Sequence, residues 1–326
     1  MNWLLLGAGD ISAKRVLPAL MAEPRCTVVA VCDLDKDRAE TMASLAGAQA
    51  FTDYELALSR SDVDAVYVAT PVFLHAAHAM QALKAGKHVL VEKPSALNYA
   101  EAAKLTDAAA KTDSRCGVAY FRRFAPKYTM AKEMLTTGVF GQIVLIRMTY
   151  YSWFNPAAND PKYWRVIPEK SGGGPLSDMG THMFDVLIGL FGLPESVCAK
   201  IATQTQPYTV EDSAAAIMTM PGGAQVVCSF NWNSKTWSHE LEIIGTEAKV
   251  KWHPYDADSV VKTVGRDIQE ITAPNHENVH YPLVEDFVSA VEEGRNPAVT
   301  AAEAAKTNRL LDAVYRSAAE GREVRI

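Results

Sequence analysis

The stretch WLLLGAGDIS, residues 3–12, joins a short apolar run to a glycine turn. A helical pattern of apolar residues follows it, and a second apolar run, TVVAVCD (residues 27–33), ends in a carboxylate. A strand, a glycine turn, a helix and a strand that ends in an acid form, in this order, the sequence context of a dinucleotide-binding unit. This part of the chain therefore predicts a site for a nicotinamide dinucleotide, with a plain structural turn as the alternative.

The glycine turn has residues suited to a pyrophosphate. Gly7 permits a tight turn, and Gly9 lets the backbone approach the phosphates closely. Asp10 and Ile11 begin the helix, whose N-terminal amides and dipole favour an anion. Ser12 stands where the strict motif has its third glycine, and its small side chain still allows close packing of helix and strand. We expect Gly7, Gly9, Asp10 and Ile11 to contact the cofactor.

Asp33 ends the second strand, where a carboxylate accepts hydrogen bonds from the ribose hydroxyls of NAD. The same charge repels a 2′-phosphate, so the sequence predicts NAD as the cofactor. NADP is the alternative, because the cationic side chains of Lys36 and Arg38 lie nearby in the sequence. The structural alternative for Asp33 is a turn residue or a helix cap.

Two further apolar runs, residues 64–71 and 87–94, also end at candidate site residues. The residues at these two strand ends are Ala69, Thr70, Pro71, Glu92, Lys93 and Pro94. Strands that alternate with helices predict a parallel, doubly wound sheet, which binds ligands at the carboxyl ends of its strands. We therefore expect the strand-end residues other than Pro94, and His75 on the helix after Pro71, to contact the cofactor. A solvated surface lysine and a structural helix histidine are the alternatives for Lys93 and His75.

The composition argues against several classes of protein. The 326 residues carry a formal net charge of −6 and no clustered basic stripe, which argues against a nucleic-acid partner. The five cysteines are scattered without a C-x-x-C pair, which favours small buried side chains over a disulfide framework or a structural zinc site. The sequence has no cationic leader and no long apolar run, so we expect a cytoplasmic protein with no membrane partner.

The sequence pattern changes after residue 120. A helix near residues 127–137 leads into a β-rich segment over residues 141–155, and later segments alternate apolar with polar residues as strands do. We therefore predict an α/β dinucleotide-binding domain over residues 1–120. An α+β domain with a large, mostly antiparallel open sheet is predicted over residues 121–326. Half-exposed sheets of this kind often pair across subunits, so we expect a homo-oligomer.

The stretch SGGGPLSDMGTHMFD, residues 171–185, places Asp178, His182 and Asp185 at a spacing of four and then three. On an α-helix these side chains lie along one face, where they would bind a metal, exchange protons or cap the helix. A catalytic zinc site normally draws on more histidine or cysteine, and no second cluster of ligands is visible. The stretch therefore favours acid–base chemistry over a metal site, with Asp185 orienting neighbouring groups.

Several motifs together resemble the Gfo/Idh/MocA (glucose–fructose oxidoreductase/inositol dehydrogenase) family of oxidoreductases. They are GAGDIS, VATPVFLH, HVLVEKP, YFRRFAP, YWR at residues 163–165, GGGPLSDMGTHMFD, EIIGTEAKV and AVYRSAAEGREV. The resemblance runs along most of the chain and implies an N-terminal Rossmann domain and a C-terminal open-sheet domain that forms dimers or tetramers. It also implies oxidation or reduction of a sugar, a polyol or a related small molecule with NAD(P).

The resemblance implies roles for individual residues as well. Lys93 matches the family's active-site lysine, His182 its catalytic histidine, and Asp178 the aspartate one helical turn earlier. Segments that line the ligands in relatives contain Trp164 and Arg165, expected at the cofactor, and Tyr120 and Arg123, expected at the substrate. We expect Lys93, Asp178 and His182 to contact the substrate too.

These residues suit hydride transfer from a secondary alcohol. A histidine whose pKa lies near neutrality takes the hydroxyl proton, and a nearby ammonium stabilises the developing alkoxide. We therefore expect His182 to act as general acid–base, Lys93 as donor to the reacting oxygen, and Asp178 as the group that orients both. Two alternatives remain open from the same resemblance: glycoside hydrolysis through transient oxidation and elimination with bound NAD, and a non-catalytic nucleotide-sensing regulator.

Overall fold

The computed structural model describes all 326 residues, and the chain divides into two compact units. The first unit comprises Met1–Phe121 and His276–Ala305, and the second comprises Arg122–Asn275 and Lys306–Ile326. The sequence pattern placed everything after residue 120 in a second domain, whereas His276–Ala305 returns to the first unit. It does so because apolar side chains of this segment pack on the first sheet, as the ring of Phe287 does 5.6 Å from that of Trp3.

The helices account for the predicted helical segments and add short turns at the two functional stretches. The α-helices are α1 (Leu17–Ala22), α2 (Lys36–Ala46), α3 (Tyr54–Leu58), α4 (Val72–Lys84), α5 (Tyr99–Ala109), α6 (Pro126–Thr136), α7 (Pro168–Ser171), α8 (Thr181–Phe191), α9 (Tyr281–Glu292) and α10 (Ala301–Glu320). Two π-helical turns, Ser12–Val16 and Leu176–Gly180, run directly into α1 and α8. A 3₁₀ turn covers Tyr163–Val166. None of the helices combines the length and the apolar character needed to cross a membrane.

The strands form one sheet in each unit. They are β1 (Asn2–Leu6), β2 (Thr27–Cys32), β3 (Gln49–Phe51), β4 (Ala65–Val68), β5 (His88–Val91), β6 (Cys116–Val118), β7 (Ile143–Trp153), β8 (Ser196–Ala202), β9 (Ser213–Thr219), β10 (Gln225–Asn231), β11 (Asn233–Gly245), β12 (Ala248–Trp252), β13 (Ser259–Val264), β14 (Asp267–Thr272) and β15 (Val324–Arg325).

The sheet of the first unit has six parallel strands in the order β3-β2-β1-β4-β5-β6. Its central strands are apolar without alternation because they are buried on both faces, as the fully buried run of β4 illustrates. The strand order reverses between β1 and β4, which is where doubly wound sheets bind ligands beyond the carboxyl ends of their strands. The predicted Rossmann sheet is confirmed.

The sheet of the second unit has nine strands in the order β14-β13-β12-β11-β7-β10-β9-β8-β15. Neighbouring strands are antiparallel except for β7 and β10, which are parallel. On one face, Ile146 and Met148 of β7 join a core that also contains Met183 and Leu187 of α8. The other face carries exposed residues, so the alternation in the sequence predicted the large, mostly antiparallel sheet correctly.

The cysteines are all free thiols. Cys32, Cys116 and Cys228 are buried, and burial raises the pKa of Cys116 and of Cys228 to about 12. Cys198 of β8 is exposed, so the expectation that all five cysteines are buried is wrong at this position. It lies on the open side of an alternating strand, where burial is decided by register and not by the residue type.

Candidate active site

The glycine turn after β1 depends on contacts that a side chain would prevent. Gly7 has a φ of 99°, and a Cβ atom at this position would lie 2.6 Å from the carbonyl oxygen of Ala69. The Gly7 amide donates to the carbonyl of Cys32 at 2.8 Å, which ties the turn to the end of β2. A Cβ on Gly9, in contrast, would meet no atom within 4 Å. The open space beside the Gly9 backbone fits a pyrophosphate that approaches the main chain closely.

Ser12 also stabilises this turn through a hydrogen bond of its side chain. The side chain is buried, and its hydroxyl donates to the carbonyl of Gly7 at 2.6 Å. Asp10 and Ile11 begin the same helix, with Asp10 exposed and paired to Lys14 at 2.7 Å. The third position of the motif therefore contributes a hydrogen bond to the turn as well as close packing.

Asp33 connects the end of β2 to the glycine turn. Its Oδ2 accepts from the amide of Ala8 at 2.7 Å, and its Oδ1 accepts from the amide of Asp35 at 2.9 Å. The guanidinium of Arg38 also donates to Oδ1 at 2.9 Å. The carboxylate is thus fixed at the strand end that the sequence assigned to the ribose, with an arginine beside it.

His75 links the two later strand ends. Its ring is buried, with Nδ1 2.8 Å from the carbonyl oxygen of Pro94 and Nε2 2.6 Å from that of Thr70. Burial lowers the pKa of His75, and the two carbonyl contacts act in the opposite direction. The peptide bond between Lys93 and Pro94 is cis. His75 therefore holds together the two loops that the sequence assigned to the cofactor.

The helix that carries Asp178 and His182 does not have uniform α-helical geometry. Asp178 lies within the π turn Leu176–Gly180, whereas His182 and Asp185 lie in α8. A π turn closes hydrogen bonds over five residues, so the four-residue spacing of an α-helix does not apply between Asp178 and His182. His182 is buried, with 5% of its surface exposed. Single π turns of this kind are frequent at functional sites.

Asp185 has a separate partner from Asp178. Its carboxylate is completely buried and forms a bidentate pair with Arg123, with both N–O distances 2.8 Å. Burial opposes the charge on Arg123, but the pairing with Asp185 raises its pKa. The Asp185 carboxylate therefore holds Arg123 against α8 and orients it. The sequence had assigned Arg123 to the substrate.

Arg165, a predicted cofactor residue, lies close to Asp178. Its Nη1 lies 3.8 Å from Oδ2 of Asp178, and its guanidinium lies 5.5 Å from the ring of Trp164. The Nε of Arg165 is buried and has no hydrogen-bond partner in the protein. The Arg165 guanidinium thus retains donor capacity beside Asp178, which suits contact with a bound ligand.

Tyr120, which the sequence assigned to the substrate, lies in the first unit and is fully buried.

Glu211 fixes the glycine run that precedes the π turn. Its carboxylate accepts from the amides of Gly174 at 2.9 Å and Leu176 at 3.2 Å, and from the hydroxyl of Tyr315 at 3.0 Å. Burial raises the pKa of Glu211, although these three donors oppose the shift. A Cβ on Gly174 would lie 1.9 Å from the carbonyl oxygen of Glu211. The glycines therefore allow the chain to pass close to Glu211, which caps the start of the helix that bears Asp178.

Sequence reasoning missed four residues that support these groups: Tyr67, Glu211, His280 and Tyr315. Each contacts a site segment that lies at least 25 residues away in the chain, the shortest separation being that of Tyr67 from Glu92. Such contacts leave no local periodicity or spacing. The adjacent acids Glu211 and Asp212, which follow the stretch TQTQPYTV at residues 203–210, were the single local signal.

The chain matches two family models. Residues 1–120 match an oxidoreductase family model described as an NAD-binding Rossmann fold, and residues 128–251 match a GFO/IDH/MocA C-terminal domain. Together they cover most of the chain, including the whole first sheet and strands β7 to β11 of the second sheet.

Curated relatives match over nearly the whole length. Oxidoreductase P35 of Formosa agariphila is 29% identical over 315 residues, which span 96% of this chain and 97% of that protein. D-xylose 1-dehydrogenase (NADP(+)) 2 of Haloferax volcanii is 28% identical, with 100% of each chain covered. Among solved structures, levoglucosan dehydrogenase in complex with NADH and levoglucosan has a TM-score of 0.92 at 24% identity, with 100% of this chain and 99% of that chain covered. This structural likeness establishes a shared fold.

Proposed function

The chain belongs to the Gfo/Idh/MocA family of NAD(P)-dependent oxidoreductases, and from this premise we propose that it transfers hydride between nicotinamide and a hydroxyl or carbonyl of a sugar or polyol. The observation that carries the proposal is His182, a buried histidine on a helix whose start also carries Asp178 and is fixed by Glu211. The similarity to a D-xylose dehydrogenase supports a sugar as the substrate.

In the oxidative direction, His182 takes the proton of the substrate hydroxyl, because a neutral imidazole is a good base near neutral pH. Lys93 donates a hydrogen bond to the same oxygen and stabilises its developing negative charge. Asp178 orients these groups. When bound, the dinucleotide supplies the acceptor for the hydride that leaves the carbinol carbon. In the reductive direction, His182 returns the proton to the oxygen.

Asp33 is expected to set the preference for NAD over NADP. In the Asp33→Asn variant, the loss of the charged acceptor is expected to raise the Kd for NAD by roughly ten- to a hundredfold, the scale of hydrogen bonds to charged groups. The Kd for NADP should rise less, because the repulsion of its 2′-phosphate is relieved and Arg38 remains. Fluorescence titration with both cofactors measures this ratio.

Asp37→Asn is the matched control, since it removes one carboxylate from the first turn of the neighbouring helix α2. It should leave both Kd values near those of the wild type. An Asp33→Asn variant with unchanged NAD affinity would remove Asp33 from the ribose site.

The open face of the second sheet suits a homo-oligomer, as a dimer or a tetramer. Ile217 of β9 and Val227 of β10 are partners across the two strands, and they are 53% and 43% exposed. Exposed apolar pairs on a broad sheet are typical of surfaces that bind another subunit. A second copy of the chain therefore covers this face in our proposal.

Introducing a charge at this face should dissociate the oligomer. Ile217→Lys is expected to reduce the mass measured by light scattering to that of one 35.5 kDa chain, because burying an unpaired lysine is costly. Leu45→Lys, at a position 65% exposed on α2 of the first unit, is the control and should retain the assembly. A wild-type mass of one chain would contradict the oligomer outright.

The substrate itself can be found by a screen. A panel of aldoses, inositols and sugar acids is incubated with NAD or NADP, and the absorbance of the reduced cofactor is followed. Reduced cofactor is expected with at least one member of the panel. A cofactor that survives gel filtration, together with product formed from glycosides and no reduced cofactor, would instead favour the hydrolytic alternative. The regulator is favoured if cofactor binds and no substrate turns over.

A further inference from the structure

Glu92, directly before Lys93, has a buried carboxylate, and both of its oxygens accept hydrogen bonds. Its backbone amide donates to the carbonyl of Val68 at 2.8 Å, which aligns the residue with the end of β4. Oε1 accepts from the hydroxyl of Tyr67 at 2.9 Å, and Oε2 accepts from the amide of Lys93 at 3.3 Å. The carboxylate therefore bonds directly to the main chain that carries the lysine.

His280 provides the second side-chain contact to Glu92. It belongs to the segment that returns to the first unit just before α9, and its Nε2 lies 3.2 Å from Oε1 of Glu92. Its Nδ1 is buried without a hydrogen-bond partner in the protein. A buried N–H without an acceptor is rare, so the ring proton belongs on Nε2, facing Glu92.

Other contacts fix the position of His280. Its amide donates to Oδ1 of Asn278 at 3.0 Å, and the side-chain amide of Asn278 donates to the carbonyl of Arg15 at 2.8 Å. The imidazole also stacks on the ring of Phe121, with centroids 5.1 Å apart and planes inclined by 27°. The returning segment is thus tied to the helix after the glycine turn and to the residue next to Tyr120.

These contacts determine the charge next to Lys93. Burial opposes ionisation of Glu92, but the hydrogen bond from His280, the charge of Lys93 and the hydroxyl of Tyr67 together lower its pKa. The titratable groups that face Glu92 are therefore Tyr67, His280 and Lys93. The charge of Glu92 also acts on the pKa of the buried His75. Glu92 and Lys93 interact electrostatically, and a fixed anion favours the protonated form of a neighbouring lysine.

We propose that Tyr67 and His280 are positioning residues, which hold Glu92 as an anion beside Lys93 and so keep the lysine an ammonium aligned with the reacting oxygen. The inference rests on the role of Lys93 in the proposed function. Tyr67 and His280 lie in the interior of the first unit and act on the reaction only through Glu92.

The pH dependence of kcat in the Glu92→Gln variant tests the charge. Removing the anion lowers the pKa of Lys93, so the alkaline limb of the profile is expected to move to lower pH by about one unit or more. If Glu92→Gln does not fold, Glu92→Asp withdraws the carboxylate from Lys93 and should give a smaller shift in the same direction. Glu285→Gln, at an exposed position of α9, is the matched control and should leave the profile unchanged.

His280 is tested by a pair of variants. His280→Leu removes the donor to Glu92 and is expected to lower kcat with little effect on KM, whereas His280→Gln retains an N–H donor and should restore most of kcat. An alkaline limb that does not move in Glu92→Gln, or a His280→Leu variant with wild-type kcat, would overturn the inference. Lys93→Met separates this failure from that of the proposed function, because a fully active Lys93→Met variant would refute the role of the lysine itself.

Discussion

His182→Asn is expected to lower kcat by roughly 10²–10⁴-fold, the usual contribution of a general acid–base. Asparagine fills a similar volume near the backbone but cannot take a proton near neutral pH. The residues assigned to the dinucleotide in the glycine turn and at Asp33 are unchanged, so the Kd for NAD is expected to stay near the wild-type value. Stopped-flow measurement of reduced-cofactor formation with the best substrate of the panel gives kcat for the chemical step.

The control for this variant is His253→Asn, which alters a histidine whose side chain is 51% exposed and paired with Glu240. It should turn over at the wild-type rate. A His182→Asn variant with near-normal turnover would assign the proton transfer to another group. Loss of NAD binding in the same variant would indicate a structural role for His182 instead.

Gly174→Ala is expected to have the second large effect. The added Cβ would lie 1.9 Å from the carbonyl oxygen of Glu211, a distance that no rotamer change can relieve because the contact is with backbone. The loop must shift, which is expected to cost about 1–3 kcal/mol as overpacking. Since the same loop leads into the π turn with Asp178, kcat is expected to fall by roughly 10²-fold, the scale of an ångström-sized misplacement.

Gly180→Ala is the matched control, at the end of the π turn that follows the glycine run. Its Cβ would meet only ordinary contacts, the nearest being Cδ2 of Leu176 at 3.5 Å, and alanine is favoured over glycine within a helix. Turnover and calorimetric stability should therefore stay at or above the wild-type level. Equal behaviour of the two variants would contradict the idea that Glu211 fixes the approach of the glycine run.

The first unit was largely predictable because its signals are local. Apolar runs that stop at Gly7, Asp33 and Lys93 each mark the end of a buried parallel strand. The order of strands and helices then determines the sheet. The hairpin of β13 and β14 in the second unit also has a local signal in the sequence, since Gly265, with a φ of 58°, lies between the two strands.

The arrangement around the candidate site was predictable only in part. The prediction that Asp178, His182 and Asp185 lie along one face assumed an α-helix. No local sequence rule indicates the π turn that contains Asp178. The pair of Arg123 with Asp185 spans 62 residues, and the contact of Glu92 with His280 spans 188. Charged groups this far apart pair through tertiary packing, which periodicity does not encode.

The most direct test of hydride transfer uses a deuterated substrate. The best sugar of the panel is labelled with deuterium at the carbon that bears the reacting hydroxyl and is incubated with the wild-type protein and oxidised cofactor. Hydride transfer predicts one deuterium in each molecule of reduced nicotinamide, and one reduced cofactor for each oxidised sugar. Product that forms without reduced cofactor, or with its deuterium lost to water, would contradict net oxidation and favour the route through elimination.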